Sequence, residues 1–247
     1  MRKLEYLILG LALSVGLIVR LYKIGNPIAD WHSFRQADTA SVSRLYVENG
    51  IDLLMPKYHD ISRIQSGMFN PEGYRFVEFP IYNAIHALLA KNFDFLSLEI
   101  WGRIVSITSS LISALLIFKI AKMLYGRKIG LLSSSLYLIL PFNIYFTRVI
   151  LPEPMAIMFS LASLYCFLKY MTSENIKTLL ISSVFLSLGI LVKPYVIFYG
   201  FPLFIYFYKK FGLFGSVKKL RVIAAMFIIL LPFIAWRIWM SQFPEGI

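Results

Sequence analysis

The residues with the clearest potential for chemistry lie in DWHSFRQADTA, at positions 30–40, just after a hydrophobic run. This stretch holds Asp30 and Asp38, with His32 and Arg35 between them. A carboxylate near a membrane surface can accept a proton from a hydroxyl or amine as a general base, and an arginine one helical turn away can bind a phosphate through two parallel hydrogen bonds. We therefore predict that Asp38 is a catalytic base and that Arg35 binds substrate. The alternative is a solvated acid on a surface helix.

Four further charged residues stand where apolar segments begin or end. They are Glu78 in FVEFPIY, Arg148 and Glu153 in RVILPEP, and Lys193 in GILVKPYVIF. We predict that Lys193 and Arg148 bind an anionic phosphate, because charges at such depths usually serve a function. Glu78 is predicted to contact the substrate and, with Glu153, to hold a divalent cation. The alternatives are an Arg148–Glu153 pair, a lysine that reaches the lipid headgroups, and a glutamate favoured by a helix start.

The pattern for a metal site is weak. Carboxylate ligands would favour magnesium or manganese, and a histidine ligand would allow zinc, but the histidines and acids have no fixed spacing. No Walker A, GxGxxG, GxSxG or HExxH pattern is present. Cys166 is the single cysteine, which excludes an internal disulfide and a cysteine-based metal site.

The elements that must position these residues are membrane-spanning helices. Hydrophobic residues make up 58% of the chain and charged residues 15%, against about 45–50% and about 25% in soluble domains. Apolar runs of about 18 residues indicate transmembrane helices. We predict an all-α polytopic membrane protein with about seven transmembrane helices. The predicted spans are 4–21, 100–118, 129–147, 155–170, 178–192, 195–208 and 222–240.

The basic residues cluster in short segments between these spans. Segments 119–128, 169–177 and 209–221 carry eleven lysines and arginines and one acid, Glu174. The positive-inside rule places these segments and the N-terminus in the cytoplasm, and the stretch 24–95 outside. The net charge of +12 is therefore explained by membrane topology, and we do not expect nucleic acid as a partner.

The outer stretch 24–95 is too long for a simple connection. We predict a helix capped by Ser33 that ends near Glu48, a loop over 52–76, and a second helix from about Pro80 to Lys91, both helices lying at the membrane surface. One face of each helix is predicted from helical spacing: Phe34, Ala37, Ser41 and Leu45 in the first, and Ile81, Ile85, Leu88 and Leu89 in the second.

Five segments, in this order, resemble the GT-C superfamily of membrane glycosyltransferases, in particular relatives of protein O-mannosyltransferases and of lipid A aminoarabinose transferases. The segments are HSFRQADTASVSRLY (32–46), VEFPIYNAIHALLA (77–90), WGRIVSITSSLISALLIF (101–118), PFNIYFTRVILPEP (141–154) and LGILVKPYVIFYGFP (188–202). The resemblance covers nearly the whole chain. It rests on the order of the segments and on their placement relative to the membrane.

The resemblance implies a single GT-C-like transmembrane domain over 1–247 in the cytoplasmic membrane. It implies transfer of a sugar from a polyprenyl-phosphate donor, with inversion, to a protein, lipid or glycan on the extracytoplasmic face. Family chains are longer, so we expect this chain to be an N-terminal portion.

The resemblance also implies roles for single residues. Asp38 matches the family's basic carboxylate, and Lys193 matches a lysine that binds the donor phosphate. Glu78 matches an acid near a metal or the acceptor, and Arg148 and Glu153 fall in a region of further active-site charges. Many members have an Asp-Glu pair where this chain has Asp38 followed by threonine, which leaves Asp30 as an alternative base.

Two other functions share part of this pattern. A lipid-carrier flippase or transporter also has broken helices and charges within the membrane, although no internal repeat is visible here. An inactive membrane fragment is the expectation if a missing portion completes the site.

Overall fold

The computed structural model describes residues 2–29, 32–212 and 220–247, with side chains from Leu4 onward. Within these ranges the chain is helical, and one isolated antiparallel bridge joins Lys57 to Tyr74. The helices are α1 (Arg2–Leu21), α2 (Ser33–Asn49), α3 (Ile81–Asn92), α4 (Leu98–Tyr125), α5 (Arg127–Ile139), α6 (Pro141–Phe146), α7 (Glu153–Ser173), α8 (Ile176–Val192), α9 (Gly200–Phe211) and α10 (Leu220–Met240). Short 3-10 helices cover Pro194–Tyr199 and Pro244–Gly246. The predicted all-α class is confirmed, while the single domain over 1–247 stays a prediction.

Four helices in the described ranges are long and apolar enough to cross a membrane: Leu4–Leu21, Leu98–Tyr125, Glu153–Ser173 and Leu220–Met240. Helix α8 is apolar but has only 17 residues. The predicted count of seven spans is therefore not confirmed.

Two predicted spans are each divided. Span 129–147 breaks into α5 and α6 because Leu140 is extended and Pro141 follows it. Span 195–208 begins as a 3-10 helix after Pro194 and becomes α-helical only at Gly200. Proline lacks the amide hydrogen that a continuous helix needs, which explains the break before Pro141 and the end of α8 before Pro194.

The predicted basic loop at 119–128 is mostly helical, because α4 continues to Tyr125. The helix ends at Gly126, whose φ of +89° favours glycine. At this end of the bundle, Glu5 of α1 contacts Lys122 at 2.5 Å and Arg127 at 3.3 Å. These ion pairs join the start of α1 to the α4–α5 connection.

Helices α7 and α8 pack through small residues. The hydroxyl oxygens of Ser163 and Ser182 are 3.1 Å apart, and Ser182 donates to the Ser163 carbonyl at 2.9 Å. A Cβ built on Gly189 would lie 3.5 Å from the Ala156 carbonyl oxygen. Small residues let helix backbones approach closely in lipid, where the hydrophobic effect does not drive helix pairing. This packing fixes the start of α7 against the end of α8.

The cap of helix α2 differs from its prediction. His32, with a φ of +60°, occupies the N-cap position, and its side chain makes no capping hydrogen bond. The predicted cap at Ser33 is therefore wrong. Phe34 of the predicted face is 66% exposed, and the side of α2 that packs against the protein carries Gln36, Thr39 and Val42. The Ile150 amide donates to Gln36 Oε1 at 3.3 Å on this side. The predicted face stays a prediction.

Helix α3 packs against the protein mainly through residues outside the predicted apolar stripe. Tyr82 and His86 are fully buried, and Asn83 donates from Nδ2 to the Thr39 carbonyl of α2 at 2.7 Å. Ile85 and Leu88, two members of the predicted stripe, are exposed. The predicted loop over 52–76 is confirmed.

Candidate active site

Lys193 lies between two glutamates at the end of α8. Its Nζ is 3.4 Å from Glu78 Oε2 and 3.2 Å from Glu153 Oε1. The lysine side chain is 10% exposed and that of Glu78 12%. Proline at 194 ends α8, so the Lys193 backbone is extended at this point. The lysine is thus held by ion pairs instead of extending to lipid headgroups.

Glu153 begins α7 and joins two cations. Its Oε1 accepts from Arg35 Nη2 at 2.9 Å and also contacts Lys193, while its buried Oε2 has no hydrogen-bond partner among the described residues. The Arg148–Glu153 pair considered from the sequence does not form. Glu153 instead connects α2 to the end of α8.

Asp38 follows Arg35 by one turn of α2, so the two side chains share a face. Asp38 Oδ2 is 3.3 Å from Arg75 Nη2 and accepts from Gln65 Nε2 at 3.1 Å. Burial raises the pKa of the Asp38 carboxyl above its ordinary value of 3.8, while Arg75 opposes this rise and Asp60 adds to it. A raised pKa makes Asp38 a better proton acceptor than a solvated aspartate.

The loop before α3 positions Arg75. The Tyr58 amide donates to the Gly73 carbonyl at 2.8 Å, and the Arg75 amide donates to the Pro56 carbonyl at 2.9 Å. The Arg75 guanidinium lies 5.0 Å from the centre of the Tyr58 ring. Gly73 has a φ of +65°, and a Cβ there would be 2.5 Å from the Tyr58 carbonyl oxygen, so the turn requires glycine.

The same loop reaches α8 four residues after Arg75. The Phe79 amide donates to the Leu191 carbonyl at 3.0 Å, which sets Glu78 beside Lys193. The loop therefore supplies one charged residue to Asp38 and another to Lys193.

We call the resulting group the charge cluster. It consists of two ion-pair networks, one joining Arg35, Glu153, Lys193 and Glu78 and the other joining Asp38 to Arg75. The charge of Arg35 also acts on Asp38, one helical turn away, so the cluster has three acids and three bases. The sequence predicted five of these residues. It missed Arg75, although an arginine three residues before Glu78 in the outer loop was an available signal.

Glu78 and Glu153 are a poor ligand set for a resident divalent cation. They meet the preference of magnesium or manganese for oxygen, but the Lys193 ammonium lies between them. No group of three or more acidic, histidine or cysteine residues that could hold a metal occurs in the described ranges. Burial lowers the pKa of His86 to about 4, and its Nε2 lies 2.6 Å from the Leu98 carbonyl oxygen. Its buried Nδ1 has no hydrogen-bond partner among the described residues, but no acid or cysteine forms a metal group with it there. The predicted cation stays a prediction.

Arg148 lies apart from the contacts of the charge cluster. Its Nη1 donates to the Tyr22 carbonyl at 2.7 Å, and it lines a separate cavity beside α1. Its predicted role at the donor phosphate stays a prediction. Asp30, the alternative base, lies outside the described residues.

The fold and the charge cluster together define an integral membrane protein with an ionisable site where its helices end. A family model described as dolichyl-phosphate-mannose-protein mannosyltransferase matches residues 79–239, which is 161 of the 247 residues. The chain therefore belongs to this family of membrane glycosyltransferases, and the resemblance to the GT-C superfamily is confirmed. Among curated protein sequences, none matches this chain.

The family match covers only part of the charge cluster. It includes Glu153 and Lys193, and it begins one residue after Glu78. Arg35 and Asp38 lie before it. The roles of the site residues therefore remain predictions. For Arg35 and Asp38, which lie before the matched residues, the geometry of the site is the support.

Proposed function

We propose that this chain transfers a sugar from a polyprenyl-phosphate donor, with inversion, to a protein, lipid or glycan acceptor on the extracytoplasmic face of the cytoplasmic membrane. Family membership supports a glycosyltransferase that uses a lipid-linked sugar. The observation that carries the proposal is the charge cluster, in which α2, α7, the end of α8 and the loop before α3 bring six charges together.

Asp38 is the base in this proposal. Its side chain is 21% exposed, so an acceptor hydroxyl or amine can reach it from the water side. Arg75 and Gln65 both contact Oδ2, which orients the carboxylate. Removing the acceptor proton as the sugar transfers makes the acceptor a stronger nucleophile.

Arg35 and Lys193 hold the donor phosphate. Both now contact Glu153 Oε1, and a phosphate oxygen can replace that carboxylate because guanidinium and ammonium groups bind either anion. When the sugar leaves, the phosphate gains negative charge. Two fixed cations beside it stabilise that charge as it develops.

An apolar groove supports a lipid-linked donor. A cavity of about 360 Å³ lies between α7, α8, α9 and α10 and is lined mainly by aliphatic and aromatic side chains. It includes Leu179, 14 residues before Lys193, which is roughly 21 Å along a helix. A polyprenyl chain whose phosphate is at Lys193 is long enough to reach this groove.

The test is transfer by purified full chain from polyprenyl-phosphate sugars, comparing wild type with Asp38→Asn. We expect the variant to lose roughly 10²- to 10⁴-fold in rate. The matched control is Asp94→Asn, which removes an exposed carboxylate of the same outer stretch and should leave the rate unchanged. A rate unaffected by Asp38→Asn would contradict its role. Movement of the lipid-linked sugar across the bilayer without transfer would contradict the reaction and support a flippase.

The proposed cation is checked in the same assay. Dialysis against a chelator, followed by magnesium, manganese or zinc, should abolish and then restore transfer if Glu78 and Glu153 bind a metal together with the donor. Full activity after chelation would remove the metal from the proposal.

A further inference from the structure

A cavity of about 200 Å³ lies where α1 ends, and no residue of the charge cluster lines it. Four basic side chains contribute to its wall: Arg20, Lys23, Arg103 and Arg148. The other lining residues in the described ranges are Tyr22, Ile24, Asn26, Pro27, Ala29 and Val149, none of them acidic. The cavity is therefore strongly basic in the part of the chain that the structure describes.

Arg20 gives the strongest indication of a ligand. Its side chain is fully buried, and it donates to Thr147 Oγ1 at 2.8 Å and to the Gly16 and Leu138 carbonyls at 2.9 Å each. All three acceptors are neutral. Among the described residues its Nη2 has no hydrogen-bond partner, and no carboxylate there pairs with Arg20. Burying a charge without an opposite charge costs free energy. An anion beside Arg20 would supply the opposite charge and also a hydrogen-bond acceptor for Nη2.

Two further cations face the same cavity from its rim. Arg148 is held by the Tyr22 carbonyl, and its guanidinium lies 6.0 Å from the Tyr22 ring centre. The Lys23 ammonium is 5.5 Å from the centre of the same ring. Neither forms an ion pair with a carboxylate in the described ranges. Both charges are thus available to an anion in the cavity.

The wall of the cavity is already fixed in position. Arg103 donates from Nη1 to the carbonyls of Ile24 and Asn26, which fastens the segment after α1 to the start of α4. Arg20 is likewise held by the carbonyl at 138 and the hydroxyl at 147. A site that needs little rearrangement loses less free energy on binding.

We propose that this cavity binds a phosphate group, either of a lipid headgroup or of a free phosphate, at a site separate from the charge cluster. Guanidinium and ammonium groups are the usual protein partners of phosphate. The volume exceeds that of several water molecules, at about 30 Å³ each. Leu21 and Tyr22, exposed beside the cavity, provide an apolar surface for the rest of a lipid. The proposal does not depend on sugar transfer.

The test measures binding by the purified full chain in micelles of a phosphate-free detergent, with phosphatidylglycerol and inorganic phosphate as separate probes. The test variant combines Lys23→Gln and Arg148→Gln at the rim, because replacing buried Arg20 risks misfolding. The control combines Arg63→Gln and Lys91→Gln, which also removes one arginine and one lysine charge, but from positions of the outer stretch that do not line the cavity. We expect the wild type to bind one probe molecule per chain. The dissociation constant should rise roughly tenfold or more in the test variant and should not change in the control.

The two probes distinguish the sources of the phosphate. Binding of phosphatidylglycerol that inorganic phosphate does not displace assigns a lipid headgroup, and displacement by inorganic phosphate assigns a small anion. No binding by the wild type, or equal weakening in both variants, overturns the proposal. Because binding is read without turnover, absence of sugar transfer would overturn the proposed reaction and leave this result standing.

Discussion

Arg75 adjusts the proton affinity of Asp38. Burial raises the pKa of Asp38 and Arg75 lowers it, so Arg75→Gln should raise that pKa further. A base acts only when it is deprotonated. The acid limb of the pH–rate profile for transfer should therefore move to higher pH in Arg75→Gln than in the wild type.

Arg63→Gln is the control for this shift. Arg63 also lies in the outer loop, where its guanidinium is 5.9 Å from the Phe69 ring centre, and it does not contact Asp38. Its profile should match that of the wild type. An acid limb that stays in place in Arg75→Gln would show that Asp38 does not set it.

Lys193 is expected to contribute more to the free energy of unfolding than its ion-pair distances suggest. Lys193→Met would leave Glu78 without its cation in a mostly buried position, and we expect the unfolding free energy to fall by about 3–5 kcal/mol. Adding Glu78→Gln should recover part of this loss, because the unpaired charge is removed. Reversible unfolding in mixed detergent micelles measures both.

The Lys57–Glu72 pair is the matched control. Its atoms are closer, at 2.6 Å, but the side chains are 40% and 58% exposed. Lys57→Met should cost much less stability than Lys193→Met, because water and salt screen an exposed ion pair. Equal losses in the two lysine variants would mean that burial does not determine the strength of these pairs.

Individual site residues were predictable from sequence where a charge interrupts or adjoins an apolar run. Glu78, Glu153 and Lys193 stand out for this reason. Their partners were not predictable. Glu153 lies five residues after Arg148 in sequence, yet it pairs with Lys193 and with Arg35, 118 residues away. Only the packing of helices brings such residues together.

At the scale of helices, the interface between α7 and α8 positions the charge cluster. A Cβ on Gly189 would lie 2.9 Å from Val196 Cγ1, so Gly189→Val must push α8 away from the 3-10 segment that follows it. We expect a loss of about 1–3 kcal/mol in stability and reduced transfer, because Lys193 is four residues further along. Thermal unfolding and the transfer assay measure the two effects.

Gly10→Val is the control, since nothing lies within 4 Å of a Cβ built on Gly10. It should leave both stability and transfer close to those of the wild type. A Gly189→Val protein that behaves like Gly10→Val would contradict close packing at this interface.

Helix positions were predictable where the apolar run is long and uninterrupted, as in α1 and α10. Helix positions were not predictable where the backbone changes direction inside an apolar run. Pro141 lies in such a run, and hydrophobicity alone does not reveal that α5 ends before it. The face of α2 that packs against the protein was not predictable from apolar spacing, because part of it is held by hydrogen bonds that Gln36 Oε1 and the Thr39 carbonyl accept.

For the whole molecule, the orientation proposed from the basic segments can be tested by labelling. Cys166 is the single cysteine, so Cys166→Ser provides a background for one new cysteine at a time. We expect Lys91→Cys to react with an impermeant maleimide in intact cells, and Lys128→Cys to react only after permeabilisation. The opposite pattern would place the charge cluster on the cytoplasmic side.

The equal number of acids and bases in the charge cluster restricts what can bind there. A phosphate that replaces Glu153 at Arg35 and Lys193 adds a negative charge and releases a carboxylate that has lost its cations. A proton taken up by the released carboxylate would compensate this added charge. By thermodynamic linkage, the donor and that proton would each tighten the binding of the other by the same factor. The site would then take up its substrate without a change in net charge.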